Sequence, residues 1–127
     1  MVKINYIHLQ KLEGLEREDI AYSFQEANNI LKKWAIEDSP EIGYDKTRIE
    51  IVFQNGEKIF FRFDLNKNHK IMVNITDFIV DELKVYAGLK KPYGLTDEQY
   101  QEFLSIYITE EDRQKAKQIL ENYQLED

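Results

Sequence analysis

Thr47-Arg48-Ile49-Glu50-Ile51-Val52-Phe53-Gln54-Asn55-Gly56-Glu57-Lys58-Ile59-Phe60-Phe61-Arg62-Phe63-Asp64-Leu65 decides the fold. Two β-prone runs, 47–54 and 57–65, flank Asn55-Gly56, the strongest short-range hairpin signal. Ile49, Ile51 and Phe53 share one face of the first run; Ile59, Phe61 and Phe63 share one face of the second. A two-residue loop would pair 53 with 58 and 51 with 60, turning Lys58 and Arg62 onto the apolar face. A three-residue loop, 54–56, pairs 51 with 59 and 49 with 61. It merges the apolar rows and gives Gly56 the left-handed bulge position. The three-residue form is therefore predicted. It sets Lys46 opposite Asp64 and Arg48 opposite Arg62 on the polar face, with Glu50 diagonal to Arg62. Phe60 falls on that polar face too, so it is either covered by another element or open to a partner.

Outward from the hairpin, the N-terminal side holds a helix signal. Ser23 and Glu26 have capping-box spacing, and Phe24, Ala27, Ile30, Leu31 and Trp34 recur at helical intervals. This helix, 23–37, should stop before Asp38-Ser39-Pro40, because a residue preceding proline is pushed out of the α region. Residues 2–9 read as a short, imperfectly alternating strand, and 10–19 as charged and irregular.

On the C-terminal side, 66–74 is a polar connection. Thr76 is predicted to cap a helix over 77–87, ended by Gly88. Thr96, with Gln99, caps a helix over 97–107 whose stripe is Tyr100, Phe103, Leu104 and Tyr107. Thr109 caps the last helix, 110–123, where Ala116, Ile119, Leu120 and Tyr123 align. Glu110, Glu111 and Asp112 suit its positive N-terminus. The expectation is one α+β domain, residues 1–127: a small antiparallel sheet centred on the 47–65 hairpin, with about four helices on one face.

Composition narrows the function. The 127 residues contain no cysteine, which excludes disulfides, cysteine-ligated zinc and thiol catalysis. No apolar run is long enough for a membrane span, so a cytoplasmic protein is expected. The net charge is −7, and it is unevenly spread. Residues 95–127 carry nine acids and three bases, while 1–94 are nearly balanced with 15 acids and 14 bases. Phosphate repels such a protein, so nucleic acid is not an expected direct ligand, and a basic protein is the more natural partner.

The motifs arrive in an order that resembles a known group. Trp34 on a helix is followed by Pro40 and Gly43-Tyr44-Asp45-Lys46. Then come Arg62-Phe63-Asp64-Leu65 on the second hairpin strand, Tyr86-Ala87-Gly88 at a helix end, and Thr96-Asp97-Glu98-Gln99-Tyr100 at a helix start. Over about residues 23–107 the chain resembles the large polyvalent-protein-associated domain family, with Phe61, Gly94 and Leu95 departing from its pattern. The resemblance implies an accessory module of plasmid- or phage-borne polyproteins that act on DNA. A free-standing acidic copy then implies a mobile-element product. Small acidic products of such elements often block host defence nucleases, as anti-CRISPR proteins do.

Two surfaces emerge as candidate partner-binding sites. One is the hairpin group, Tyr44, Asp45, Lys46, Phe60, Arg62 and Asp64. Its plainer reading is an Asp45 turn cap and a Lys46–Asp64 ion pair. The other is the acidic helical set, Asp97, Glu98, Glu102, Glu110, Glu111 and Asp112, whose negative groups could compete for a nucleic-acid groove. Its plainer reading is a solvated helical face. Of the aromatics, Tyr93, Tyr100 and Tyr107 could be interface anchors, while core packing is the plainer reading of Tyr100 and Tyr107.

Catalysis finds no footing. Glu57-Lys58 are adjacent and so point to opposite faces of a strand, unlike the acid-x-Lys of metal nucleases. Glu82-Leu83-Lys84 has that spacing but falls on a helix. His8 and His69 lack ligand spacing, and no phosphate-cradling glycine run occurs. The expectation is a non-enzymatic binder without cofactor or metal. It would occlude a basic site on a nucleic-acid-binding effector, or alternatively serve as an adaptor or self-associating (homodimer) module for DNA-processing proteins.

Overall fold

The computed structural model describes residues 1–12, 17–37, 46–64 and 74–125, and only the backbone of 35–37, 46, 63 and 64. Tyr44, Asp45 and the turn around Pro40 lie outside the described residues. The chain runs β1 (Ile4–Lys11), β2 (Arg17–Ala21), α1 (Phe24–Glu37), β3 (Lys46–Phe53), β4 (Lys58–Asp64), α2 (Ile75–Tyr86), α3 (Asp97–Tyr107) and α4 (Glu110–Asn122). The strands form one antiparallel sheet in the order β2-β1-β3-β4, and the fold is α+β as expected.

The hairpin has the predicted register, with Ile51 opposite Ile59, Ile49 opposite Phe61, Arg48 opposite Arg62 and Lys46 opposite Asp64. Gly56 sits at φ 87°. Its N–H donates to the Phe53 carbonyl at 2.9 Å, and the Phe53 N–H donates to the Glu57 carbonyl at 2.9 Å. The Asn55 side-chain oxygen accepts from the Glu57 N–H at 3.0 Å, so the loop is held by its own side chain.

The N-terminal reading needs correction. Residues 10 and 11 continue β1, and Arg17–Ala21 form β2, an edge strand paired to it from Ile7–Ala21 to Lys11–Arg17. A run as charged as Arg17-Glu18-Asp19 has little strand propensity. Pairing with β1 overrides that, and only Ala21 is buried. The imperfect alternation of β1 also has a cause: a bulge lies between Ile4, opposite Phe53, and Tyr6, opposite Val52.

One face of the sheet carries the core. Ile7, Leu9, Ile49, Ile51, Ile59 and Phe61 pack beneath Phe24, Ala27, Leu31 and Trp34 of α1, Ile79 and Leu83 of α2, and Ala116 and Ile119 of α4. The helix boundaries follow local chemistry. Ser23 Oγ accepts from the Glu26 N–H at 3.1 Å, and the Glu26 carboxylate reaches back to the Tyr22 N–H at 3.2 Å. Thr96 and Gln99 form the predicted capping box. The α2 cap differs from expectation: Asn74, not Thr76, accepts from the N–H groups of Thr76 and Asp77, and the helix starts two residues early. Thr76 is instead buried. Gly88 ends α2 at φ 80°, with the Leu89 N–H on the Lys84 carbonyl at 2.8 Å.

The last helix closes the molecule on itself. Val2 and Tyr123 form a parallel bridge. The Tyr123 ring meets Phe53 edge-on at 4.5 Å, and its hydroxyl accepts from the Asn55 side chain at 3.0 Å. Among the described residues, no helix is long and apolar enough to cross a membrane.

Candidate partner-binding surfaces

The sheet face opposite the helices is open except at Val52, which is buried. Along it stand His8 and Gln10 from β1, Arg48 and Glu50 from β3, and Phe60 and Arg62 from β4, all exposed or half-buried. The hairpin's alternation puts the strand residues on two faces: the covered one is mostly apolar, with Thr47 and Lys11 buried at its end, and most of the charged residues take the other. Phe60 is 60% exposed, and the Arg48 guanidinium lies over its ring at 4.8 Å. Arg48 also pairs with Glu50 at 3.5 Å. The ring therefore carries a cation over one face and still leaves most of the residue exposed. His8 bonds Glu18 across the β1–β2 pair at 2.5 Å. Lys46 and Asp64 face one another in register, and their side chains lie outside the described residues.

The acidic residues project from α3 and α4, on the helical side of the molecule. Of α3 only Tyr100 and Leu104 are buried. The Tyr100 hydroxyl donates to the Val85 carbonyl at 2.6 Å, and burial pushes the phenol pKa up. Beyond these two, Phe103 is half-buried and most of the other side chains of the helix are exposed. Asp97, Glu98 and Glu102 are exposed there, and so are Ile106 and Tyr107. Core packing was the plainer reading of Tyr107; the structure corrects it. Its ring is 70% exposed and leans on Phe103 at 5.4 Å, because the helix ends beyond the reach of the core. Ile106 was not singled out by sequence. It falls off the buried stripe at an i, i+4 step from Glu102, which is the signal that could have found it.

Asp97 pairs with Lys91 at 3.1 Å, and Glu110 with Arg113 at 3.8 Å. Glu98, Glu102 and Glu111 have no ion pair among the described residues. Thr109 caps α4 by accepting from the Asp112 N–H at 3.1 Å, which fixes Glu110, Glu111 and Asp112 in the first turn.

A groove of about 330 Å³ joins the two surfaces at the edge of β4. Phe61, Leu83, Tyr86, Ile108, Ala116 and Ile119 make it apolar, and Phe60, Lys58, Asp112 and Lys115 border it. The structure thus brings Phe60 and Asp112, from the two candidate sets, to one groove. Lys115 bonds Glu57 at 2.5 Å, which raises its pKa. Glu82 on α2 has its pKa raised by burial and then by Asp81. Tyr86 has its pKa raised by burial and then by Glu82.

Among the described residues, no group of three His, Asp or Glu side chains is placed to hold a metal ion.

Comparison with known proteins adds one finding. A family model described as large polyvalent protein associated domain 25 matches residues 1–84. That span takes in β1 through most of α2. It reaches further toward the N-terminus than the motifs had indicated, and it stops before Tyr86-Ala87-Gly88 and the α3 start. Searches of curated proteins and of solved structures give no match. With two thirds of its length matched, the chain belongs to the large polyvalent protein associated domain 25 family.

Proposed function

We propose that this protein is a non-enzymatic binding protein of a mobile genetic element, acting against host defence by occluding a basic site on a nucleic-acid-binding effector. The observation that carries the reading is the outer surface of α3. There Glu98 and Glu102, without ion pairs among the described residues, stand beside exposed Ile106 and Tyr107. Acids alone would serve solubility. Acids beside an exposed aliphatic and an aromatic combine long-range attraction to a basic groove with an apolar anchor that holds once docked. The acidic helices lie beyond the 1–84 family match. The mobile-element setting rests on the family's association with large polyvalent proteins.

The test is affinity capture from a host carrying defence systems, with mass-spectrometric identification. The unmodified chain is compared with a Glu98→Lys/Glu102→Lys/Glu111→Lys variant. The reading predicts a basic nucleic-acid-handling protein, captured at low salt, lost at high salt and lost with the variant. Capture that ignores the charge reversal would contradict it.

A further inference from the structure

β4 is the outer strand of the sheet, with no strand beyond it among the described residues. The hairpin fixes which of its backbone groups look outward. Phe53 and Glu57 are a hydrogen-bonded pair, so the ladder bonds recur at 59, 61 and 63. The N–H and C=O groups of Lys58, Phe60, Arg62 and Asp64 therefore point away from β3, along the free edge.

The sequence of that edge, Lys58-Ile59-Phe60-Phe61-Arg62-Phe63-Asp64, is complementary to itself when reversed. We propose that β4 pairs antiparallel with β4 of a second copy, about a two-fold axis through Phe61, joining two four-stranded sheets into one. In this register Lys58 faces Asp64 of the second copy, and Phe60 faces its Arg62. Ile59 faces Phe63, and Phe61 faces itself. The outward-pointing residues meet one another as hydrogen-bonded pairs, which the parity of the edge requires.

Charge selects this register over its neighbours. Centring the pair on Phe60 would set Lys58 against Arg62, and centring it on Arg62 would set that residue against itself. The same cations that would blunt the edge toward arbitrary strands become complementary in one alignment only. The open face of the sheet agrees. Phe60 is 60% exposed with Arg48 over its ring at 4.8 Å, and in this pairing the second copy's Arg62 lies directly across from it as a second cation. On the covered face, Phe61 lines the groove along β4, where its symmetry mate would meet it. A two-fold contact of this kind uses the same patch twice, so no other protein is needed.

The test is sedimentation equilibrium of the full chain across a range of concentrations, using a charge-swap cycle. The unmodified protein should sediment as a dimer of the 15.2 kDa chain. Lys58→Asp sets acid against Asp64, and Asp64→Lys sets base against Lys58; each should weaken the dimer by about tenfold or more in Kd. The double variant Lys58→Asp/Asp64→Lys restores opposite charges and should restore the dimer. Circular dichroism confirms that every variant is folded. A monomer at all concentrations overturns the proposal and leaves the edge to an extended peptide from another protein. A dimer indifferent to the single changes, or one that the double variant fails to rescue, also overturns it.

Discussion

Three residues carry local arguments that can be checked one at a time. Gly56 turns the hairpin at φ 87°, and a Cβ there would meet nothing within 4 Å. The cost of Gly56→Ala is then backbone strain alone, about 1–2 kcal/mol. Urea unfolding should show that loss; an unchanged midpoint would mean the loop takes another form. Glu82 has its pKa raised above 4.5 by burial and by Asp81. Its folded pKa exceeds its unfolded one, so its contribution is fully present below about pH 4.5 and lost as pH rises through the folded value. Glu82→Gln should therefore raise the melting temperature at neutral pH, with the gain vanishing below about pH 4. A variant less stable than the parent at neutral pH contradicts this. Tyr100 ties α3 to α2 through the Val85 carbonyl. Tyr100→Phe should cost about 1 kcal/mol and speed amide exchange in α3 while β3 is unaffected. Equal protection in α3 before and after would show that the hydroxyl does not anchor the helix.

At the scale of elements, what could be read in advance depended on how many signals agreed. The β3–β4 register was legible because alternation, turn residues and loop length all converged on one pairing, with Ile51 opposite Ile59. The α3 bounds were legible because Thr96 and Gln99 cap each other. β2 was not, since Arg17-Glu18-Asp19 becomes a strand only by borrowing the edge of β1. Asn74 displaced Thr76 as a cap because Thr76 is drawn into the core, a tertiary effect with no local mark. The candidate surfaces divide the same way. Phe60 was placed correctly on the polar face by register alone. Ile106 and Tyr107 needed the structure, because nothing local says how far the core extends under α3.

For the whole molecule, the charge divide and the core divide do not coincide. The acidic excess lies after residue 94, yet Ala116, Ile119, Tyr123 and Leu125 belong to the same hydrophobic cluster as the sheet. The acidic segment is also fastened at the turn, where Lys115 meets Glu57 and Tyr123 meets Asn55, and at the N-terminus through Val2. A fragment of residues 1–94 would leave β3, β4 and α2 with an uncovered apolar face. It should lack the amide dispersion of a folded protein in a two-dimensional NMR spectrum; a well-dispersed spectrum would show that the C-terminal helices are an appendage. The binding account needs this rigidity, since a fixed acidic surface docks without first being ordered. Its most direct test is competition on the captured effector, using labelled nucleic acid bound at the effector's basic site. The account predicts that the unmodified chain displaces the nucleic acid and the Glu98→Lys/Glu102→Lys/Glu111→Lys variant does not. A stable ternary complex of effector, nucleic acid and this chain would contradict it.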